Sequence, residues 1–174
     1  MLILTALIAY LLNTFPFQIH PPKDVEEATN IKLKMTKKIN TDKEKVIKDT
    51  EDWKKQLSPL AFNILREKGT ERPFTGKYDL NTMAGTYYCG ACNAELFSST
   101  TKYNAGCGWP SFSDVIDKNR MTLLLDTSRG RNRTEVQCAK CDSHLGHVFN
   151  DGPAPTGLRY CINSAALTFK AKED

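Results

Sequence analysis

Apolar and polar positions change character several times along this chain. Residues 2–12 (L-I-L-T-A-L-I-A-Y-L-L) are apolar and uncharged, and Phe15 and Phe17 extend that character past Asn13. The run is shorter than the ~20 apolar residues of a membrane-crossing helix and closer to the apolar region of a signal peptide. No Lys or Arg precedes it, and no clear small-residue cleavage site follows. Residues 1–17 are therefore expected to be a hydrophobic leader, signal or anchor, with export or membrane anchoring balanced against a cytoplasmic fate. Residues 18–48 read as a charged spacer. Pro21-Pro22 stops regular structure, and I-K-L-K-M-T-K-K-I-N-T-D-K-E-K has too little apolar content and too much charge for a core. A basic patch for anionic lipid is the alternative reading of that segment.

From about residue 49 the pattern becomes that of a folded domain running to residue 174. Leu60, Ile64 and Leu65 stand at helical spacing, Ser58 and Pro59 are a good N-cap and first helical position, and Gly69 is a plausible terminator. Thr70 to Gly76 reads as a loop. After Gly85 the period shortens. Thr86 to Tyr88, Glu95 to Ser98, Ser111 to Ile116, Met121 to Leu125, Thr134 to Gln137 and Tyr160 to Ile162 read as strands between Gly-, Asn-, Asp- and Ser-rich connections. The expected fold is mainly β within the α+β class: two antiparallel sheets with a short N-terminal helical region.

Composition adds little to this. The chain has 174 residues, 40% hydrophobic and 25% charged, with a formal charge of +4. That mild charge, much of it from the spacer, lacks the focused basic face of nucleic-acid readers.

The cysteines change the picture. None lies before Cys89, and Cys89-Gly-Ala-Cys92 and Cys138-Ala-Lys-Cys141 are C-x-x-C pairs. Such turns aim both thiolates at one metal, so these cysteines read as a closed, structural zinc site that staples the fold. Disulfides or a redox C-x-x-C are the competing readings. Zinc-ribbon pairs lie ~15–20 residues apart, whereas Asn93 to Gln137 separates these, enough for part of a separate sheet.

Cys107 and Cys161 remain. Cys107 sits between Gly106 and Gly108, on a permissive and poorly shielded backbone. Cys161 follows Arg159, whose charge favours a thiolate, and Asn163 is placed to hydrogen-bond a polar substrate atom. They read either as an attacking and a resolving thiol or as buried free cysteines. His144 and His147 read as acids near a thiol, as a substitute metal ligand, or as chemically idle. Arg129-Gly-Arg131-Asn-Arg133 reads most simply as a solvated hairpin turn, with no aromatic platform for RNA beside it.

Several segments carry a resemblance: R-E-K-G-T-E-R-P-F-T-G (Arg66–Gly76), the two C-x-x-C pairs, T-K-Y-N-A-G-C-G-W-P-S-F (Thr101–Phe112), and H-L-G-H-V-F-N-D-G-P through R-Y-C-I-N-S. In that order they resemble the B-type methionine-R-sulfoxide reductases, over about residues 50 to 170. The resemblance implies a methionine-R-sulfoxide reductase domain over 49–174, with Cys161 as catalytic nucleophile and Cys107 as resolving thiol. It implies Cys89, Cys92, Cys138 and Cys141 as ligands of one structural Zn2+, with no organic cofactor. Trp109, His144, His147, Phe149, Arg159 and Asn163 would form the substrate pocket, with His144 or His147 as the acid.

The reaction so implied is thiol-dependent repair of methionine-R-sulfoxide in oxidised proteins. It runs through a Cys161 sulfenic acid and a Cys107–Cys161 disulfide that a thioredoxin-like partner reduces. A monomer is expected, with no nucleic-acid partner and membrane contact only through a retained leader. Arg131 stands where the family stretch often has methionine, and Ala166 replaces a common serine. A zinc-stapled binding module would account for the four metal-type cysteines but leave Cys107, Cys161 and the histidines unexplained. A nucleic-acid-binding ribbon would need salt-dependent binding.

Overall fold

A computed structural model describes residues 45–173, which belong to one compact unit, Asp42–Asp174. The leader at 1–17 and the spacer at 18–48 lie outside the described residues, apart from 45–48. Two short helices open the unit: α1 (Thr50–Gln56) and α2 (Pro59–Glu67). The Asp49 side chain accepts from Asp52 N, and the Ser58 hydroxyl accepts from Ala61 N with Pro59 at the first position. Only α2 was expected, because α1 is too short to show an apolar stripe. Gly69 follows the left-handed C-cap Lys68, at the C′ position expected of it, and donates its N–H to Asn63 O. One detail of α2 differs: Leu60 is exposed, while Phe62, Ile64 and Leu65 are buried.

The rest is β, as expected, in two antiparallel sheets. Strands β1 (Gly85–Cys89), β2 (Glu95–Ser98) and β9 (Leu167–Ala171) form a three-stranded sheet ordered β2-β1-β9. The second sheet holds β3 (Lys102–Tyr103), β4 (Ser111–Phe112), β5 (Met121–Asp126), β6 (Arg133–Cys138), β7 (His144–Phe149) and β8 (Arg159–Ile162). Its order is β3-β4-β8-β7-β6-β5. The strand expected over 111–116 ends at Phe112: Ser113 N still bonds Thr101 O in register with β3, and the chain then leaves the ladder, with Ile116 N bonding Leu96 O. Strands β3, β7 and β9 were not expected.

Rings contributed by both sheets make the core. Phe97 and Phe112 stack with centroids 4.3 Å apart, and Tyr87 meets Phe112 edge-on at 5.0 Å. All three are fully buried. Each contributes on the order of 1.5–3 kcal/mol by burial, and ring geometry adds about 1 kcal/mol per pair. One face of β8 joins this core through Tyr160 and Ile162, so alternation turns Arg159 and Cys161 to the other face.

Candidate active site and metal cradle

Strand register sets the site. Cys161 pairs with His147 on one side and Ser111 on the other, and His147 pairs with Glu135, which pairs with Leu124. These residues form one cross-strand row on a single sheet face. Gly146 beside the row has no room for a side chain, since a Cβ there would lie 2.1 Å from the Cys161 carbonyl oxygen. Between β6 and β7 the register slips: Val136 faces Gly146 and Gln137 faces His144, leaving Leu145 extra. Residues three apart on a regular strand point to opposite faces. This bulge instead brings His144 and His147 to the same face, with ring centroids 5.4 Å apart.

A pocket of about 570 Å³ opens on that face, with Cys161, His147, Gly146 and Asn163 among its lining residues. Trp109 and Phe149 supply aromatic walls, Thr70 closes one side, and Arg131 and Asn132 of the β5–β6 turn, with Arg133 at the start of β6, close another. Cys107 Sγ lies 3.8 Å from Cys161 Sγ and 3.4 Å from Ser111 Oγ. Gly106 (φ +66°) and Gly108 (φ +87°) flank Cys107 in the left-handed region, where a side chain would be strained. Of the two expected histidines, only His147 lines the pocket. Its Nε2 donates to Asp126 Oδ2 at 2.7 Å, and Arg133 Nη2 donates to the same oxygen at 2.7 Å. The Ser128 hydroxyl and His147 hold Asp126 well below the usual carboxylate range. His144 is buried and donates from Nδ1 to Glu135 Oε1 at 2.8 Å. Burial lowers its pKa, against the pull of Glu135, so the neutral ring is favoured.

The two thiols differ electrically. Burial pushes the Cys161 thiol up to about 12, Cys107 adds to that, and the Arg159 guanidinium opposes both. Burial also acts on Cys107, but hydrogen bonds with Ser111, the Trp109 backbone and Cys161, together with the Arg159 charge, outweigh it and leave its pKa lowered. Arg159 is held by a bidentate bond to Asp151 at 2.9 and 2.8 Å and lies 4.5 Å above the Phe149 ring. Asn163 commits its amide to the backbone: Nδ2 donates to Leu145 O, and Oδ1 accepts from Glu71 N.

Glu71 is the residue the sequence reading missed. Its buried carboxylate accepts from Ser164 N at 2.5 Å and Ala165 N at 2.9 Å, and its carbonyl accepts from Trp109 Nε1 at 3.2 Å. One side chain and its peptide thus tie together the segments carrying Thr70, Trp109 and Asn163. Asp126 was also missed. Its partner His147 is 21 positions away, and no local pattern joins them.

The remaining cysteines form a separate cradle. The Sγ atoms of Cys89, Cys92, Cys138 and Cys141 all lie within 4.8 Å of one another, with Cys89–Cys141 at 3.7 Å and Cys92–Cys138 at 3.6 Å. A tetrahedral ion with metal–sulfur bonds of about 2.3 Å requires edges of about 3.8 Å, so the four residues fit a metal ion. Hydrogen bonds among the sulfurs push Cys89 and Cys138 up and Cys92 and Cys141 down. Crowded thiols cannot all ionise without a cation beside them. The two turns repeat one design. Asn93 N donates to Cys89 O and Asp142 N to Cys138 O, both at 2.9 Å, and Asn93 and Asp142 are both left-handed. The helices grip both turns, Gln56 through Ala91 O at 2.6 Å and Arg66 through Cys141 O at 2.8 Å.

The fold and site define a two-sheet protein with a paired-thiol pocket braced by a four-thiol metal cradle. Residues 57–171 match the SelR domain, and the chain belongs to the SelR family. Among curated relatives, the peptide methionine sulfoxide reductase MsrB of Methanosarcina barkeri is 58% identical over 129 residues, covering 74% of this chain and 91% of that protein. The protein of the same name from Pseudomonas putida is 55% identical over 130 residues, covering 75% and 98%. That of Leptospira interrogans is 58% identical over 125 residues, covering 72% and 95%.

Proposed function

We propose that this protein reduces methionine-R-sulfoxide in oxidised proteins to methionine, with Cys161 as nucleophile and Cys107 as resolving thiol. The observation that carries the proposal is the 3.8 Å approach of these thiols beside an aromatic-walled pocket that also holds His147. The names of the relatives support the reaction class.

Cys161 Sγ attacks the sulfoxide sulfur while His147 delivers a proton to the oxygen. Asp126 stabilises the imidazolium. Methionine leaves as the thioether, the oxygen ends as the hydroxyl of a Cys161 sulfenic acid, and two electrons pass from the Cys161 sulfur to the sulfoxide sulfur. No net acid is consumed, because the thiol proton given up by Cys161 balances the proton gained by oxygen. Cys107 Sγ then displaces that hydroxyl as water, forming a Cys107–Cys161 disulfide, and a dithiol of the thioredoxin type reduces it. His147 is the better acid of the two histidines because it lines the pocket, whereas His144 is buried against Glu135.

The cradle is proposed to hold one Zn2+, which when bound staples the two C-x-x-C turns and contributes to folding. Electrons come from thiols throughout, so no organic cofactor is required.

The test is turnover of each methionine sulfoxide epimer with a dithiol reductant. The R epimer should be consumed and the S epimer left. Cys161→Ser should lose at least about a thousandfold in rate. Appreciable residual turnover in that variant, or equal use of both epimers, would overturn the proposal.

A further inference from the structure

The proposed reaction leaves the pocket's charged rim unused. Arg131 lines the pocket from the exposed 128–131 turn, with Arg129 two positions away on the same turn. The acids around the site are already engaged. Asp126 accepts from His147 and Arg133, Glu135 from Lys68 and His144, and Asp151 from Arg159. No Asp or Glu lines the pocket, and neither Arg129 nor Arg131 has a carboxylate partner among the described residues. At Arg129 and Arg131 the rim therefore carries positive charge that no carboxylate among the described residues neutralises.

A methionine sulfoxide in a polypeptide brings its flanking residues to the pocket mouth, to whose lining Arg131 belongs. At about 570 Å³ the pocket is of the size that accepts ligands of several functional groups. We infer that Arg131 is a specificity-determining residue that selects peptides with Asp or Glu beside the oxidised methionine, with Arg129 reinforcing it. This rests on the reductase reading above and adds a substrate class to it. Because both arginines are exposed, each acts through water. The effect should be roughly two- to fivefold per charge and should fade as salt rises. It should appear in KM more than in kcat, because the rim does not touch the reacting sulfur.

The experiment uses the full chain with dithiothreitol as reductant. The substrates are three peptides differing only in the residues flanking methionine-R-sulfoxide (Asp, Asn or Lys), and N-acetyl-methionine-R-sulfoxide. At low ionic strength kcat/KM should fall from the Asp to the Asn to the Lys peptide, and the series should compress at high salt. Arg131→Gln should cut the Asp-to-Asn ratio by about two- to fivefold, Arg129→Gln added to it should bring the ratio close to one, and Arg131→Lys should leave it near the parent value. A flat series in the unaltered protein, or a ratio unchanged by Arg131→Gln, overturns the inference while leaving the reductase reading intact. Failure to turn over any of these compounds, the N-acetyl substrate included, overturns both.

Discussion

Sulfur meets sulfur in two places in this fold, at 3.6–3.7 Å in the cradle and at 3.8 Å between Cys107 and Cys161. Separation therefore does not distinguish them, and surroundings do. Each cradle sulfur has three sulfur neighbours and sits on a turn fixed by backbone bonds and gripped from outside by Gln56 or Arg66. None of the four lines the pocket. Cys161 has one sulfur neighbour, an imidazole opposite it in register, and a guanidinium whose charge opposes the effect of burial. Its partner Cys107 stands between two left-handed glycines. Four thiols on rigid turns suit an ion. Two thiols, one on a permissive backbone, suit a bond that forms and breaks, since a shift of under about 2 Å brings them to disulfide distance.

The sharpest way to break this contrast is to remove one sulfur from each region. Cys138→Ser should lose the metal and cost roughly 4 kcal/mol or more of stability, read by metal content and urea unfolding, because metal binding and folding are one equilibrium at such sites. Chelation of the unaltered protein should lower stability in the same direction. Cys161→Ser should unfold at nearly the same urea concentration as the parent. If Cys138→Ser kept its metal and its midpoint, the structural role of the cradle would be wrong.

A finer division separates Cys161, which lines the pocket, from Cys107 beside it. Cys107→Ser should still convert about one equivalent of methionine-R-sulfoxide per protein in a single-turnover experiment, because Cys161 is untouched. Under the proposed mechanism its steady-state rate with thioredoxin should fall by on the order of a hundredfold, since the proposed sulfenic acid then lacks its resolving partner. Loss of the first turnover as well would move Cys107 from resolution into the attack itself.

Legibility differed between the two regions for a physical reason. The cradle is local: each C-x-x-C is a self-contained turn, so four ligands could be read from spacing, as could the Ser58-Pro59 helix start. The pocket is assembled from distance. Glu71 acts on amides 93 and 94 positions away, and Asp126 reaches His147 across two strand pairings. Strand β7 escaped notice because Gly146 interrupts it, yet that glycine is there because Cys161 O leaves no space for a Cβ. The two histidines could not be told apart without the bulge at Leu145, which depends on how β6 and β7 align. The arginine-rich turn was rightly placed as a hairpin but read as merely solvated. Only the tertiary structure shows Arg131 and Arg133 against the pocket. Residue types carried the chemistry, and pairing decided which copy of each type takes part.

The least dramatic test concerns the resting thiols. Alkylation proceeds through the thiolate, so its rate follows the ionised fraction. Burial, reinforced by Cys107, raises Cys161 to about 12, whereas Cys107 lies below its ordinary value of 9.0. A raised thiol pKa means the proton stays on as pH rises. Between pH 7 and 9 Cys161 is therefore protonated, and its thiolate gains about tenfold per pH unit. Over that range the ionised fraction favours Cys107. A more basic thiolate is intrinsically the better nucleophile, but a Brønsted slope of ~0.4–0.5 returns only about half of that advantage on a logarithmic scale. The ionised fraction wins, and Cys107 stays ahead. Iodoacetamide applied to metal-loaded protein and followed by peptide mass spectrometry should mark Cys107 first and spare the cradle. The Cys107 rate should level off at a lower pH than the Cys161 rate. Faster labelling of Cys161 at pH 7 would mean that Arg159 outweighs burial, and that the proposed nucleophile rests as a thiolate before any sulfoxide arrives.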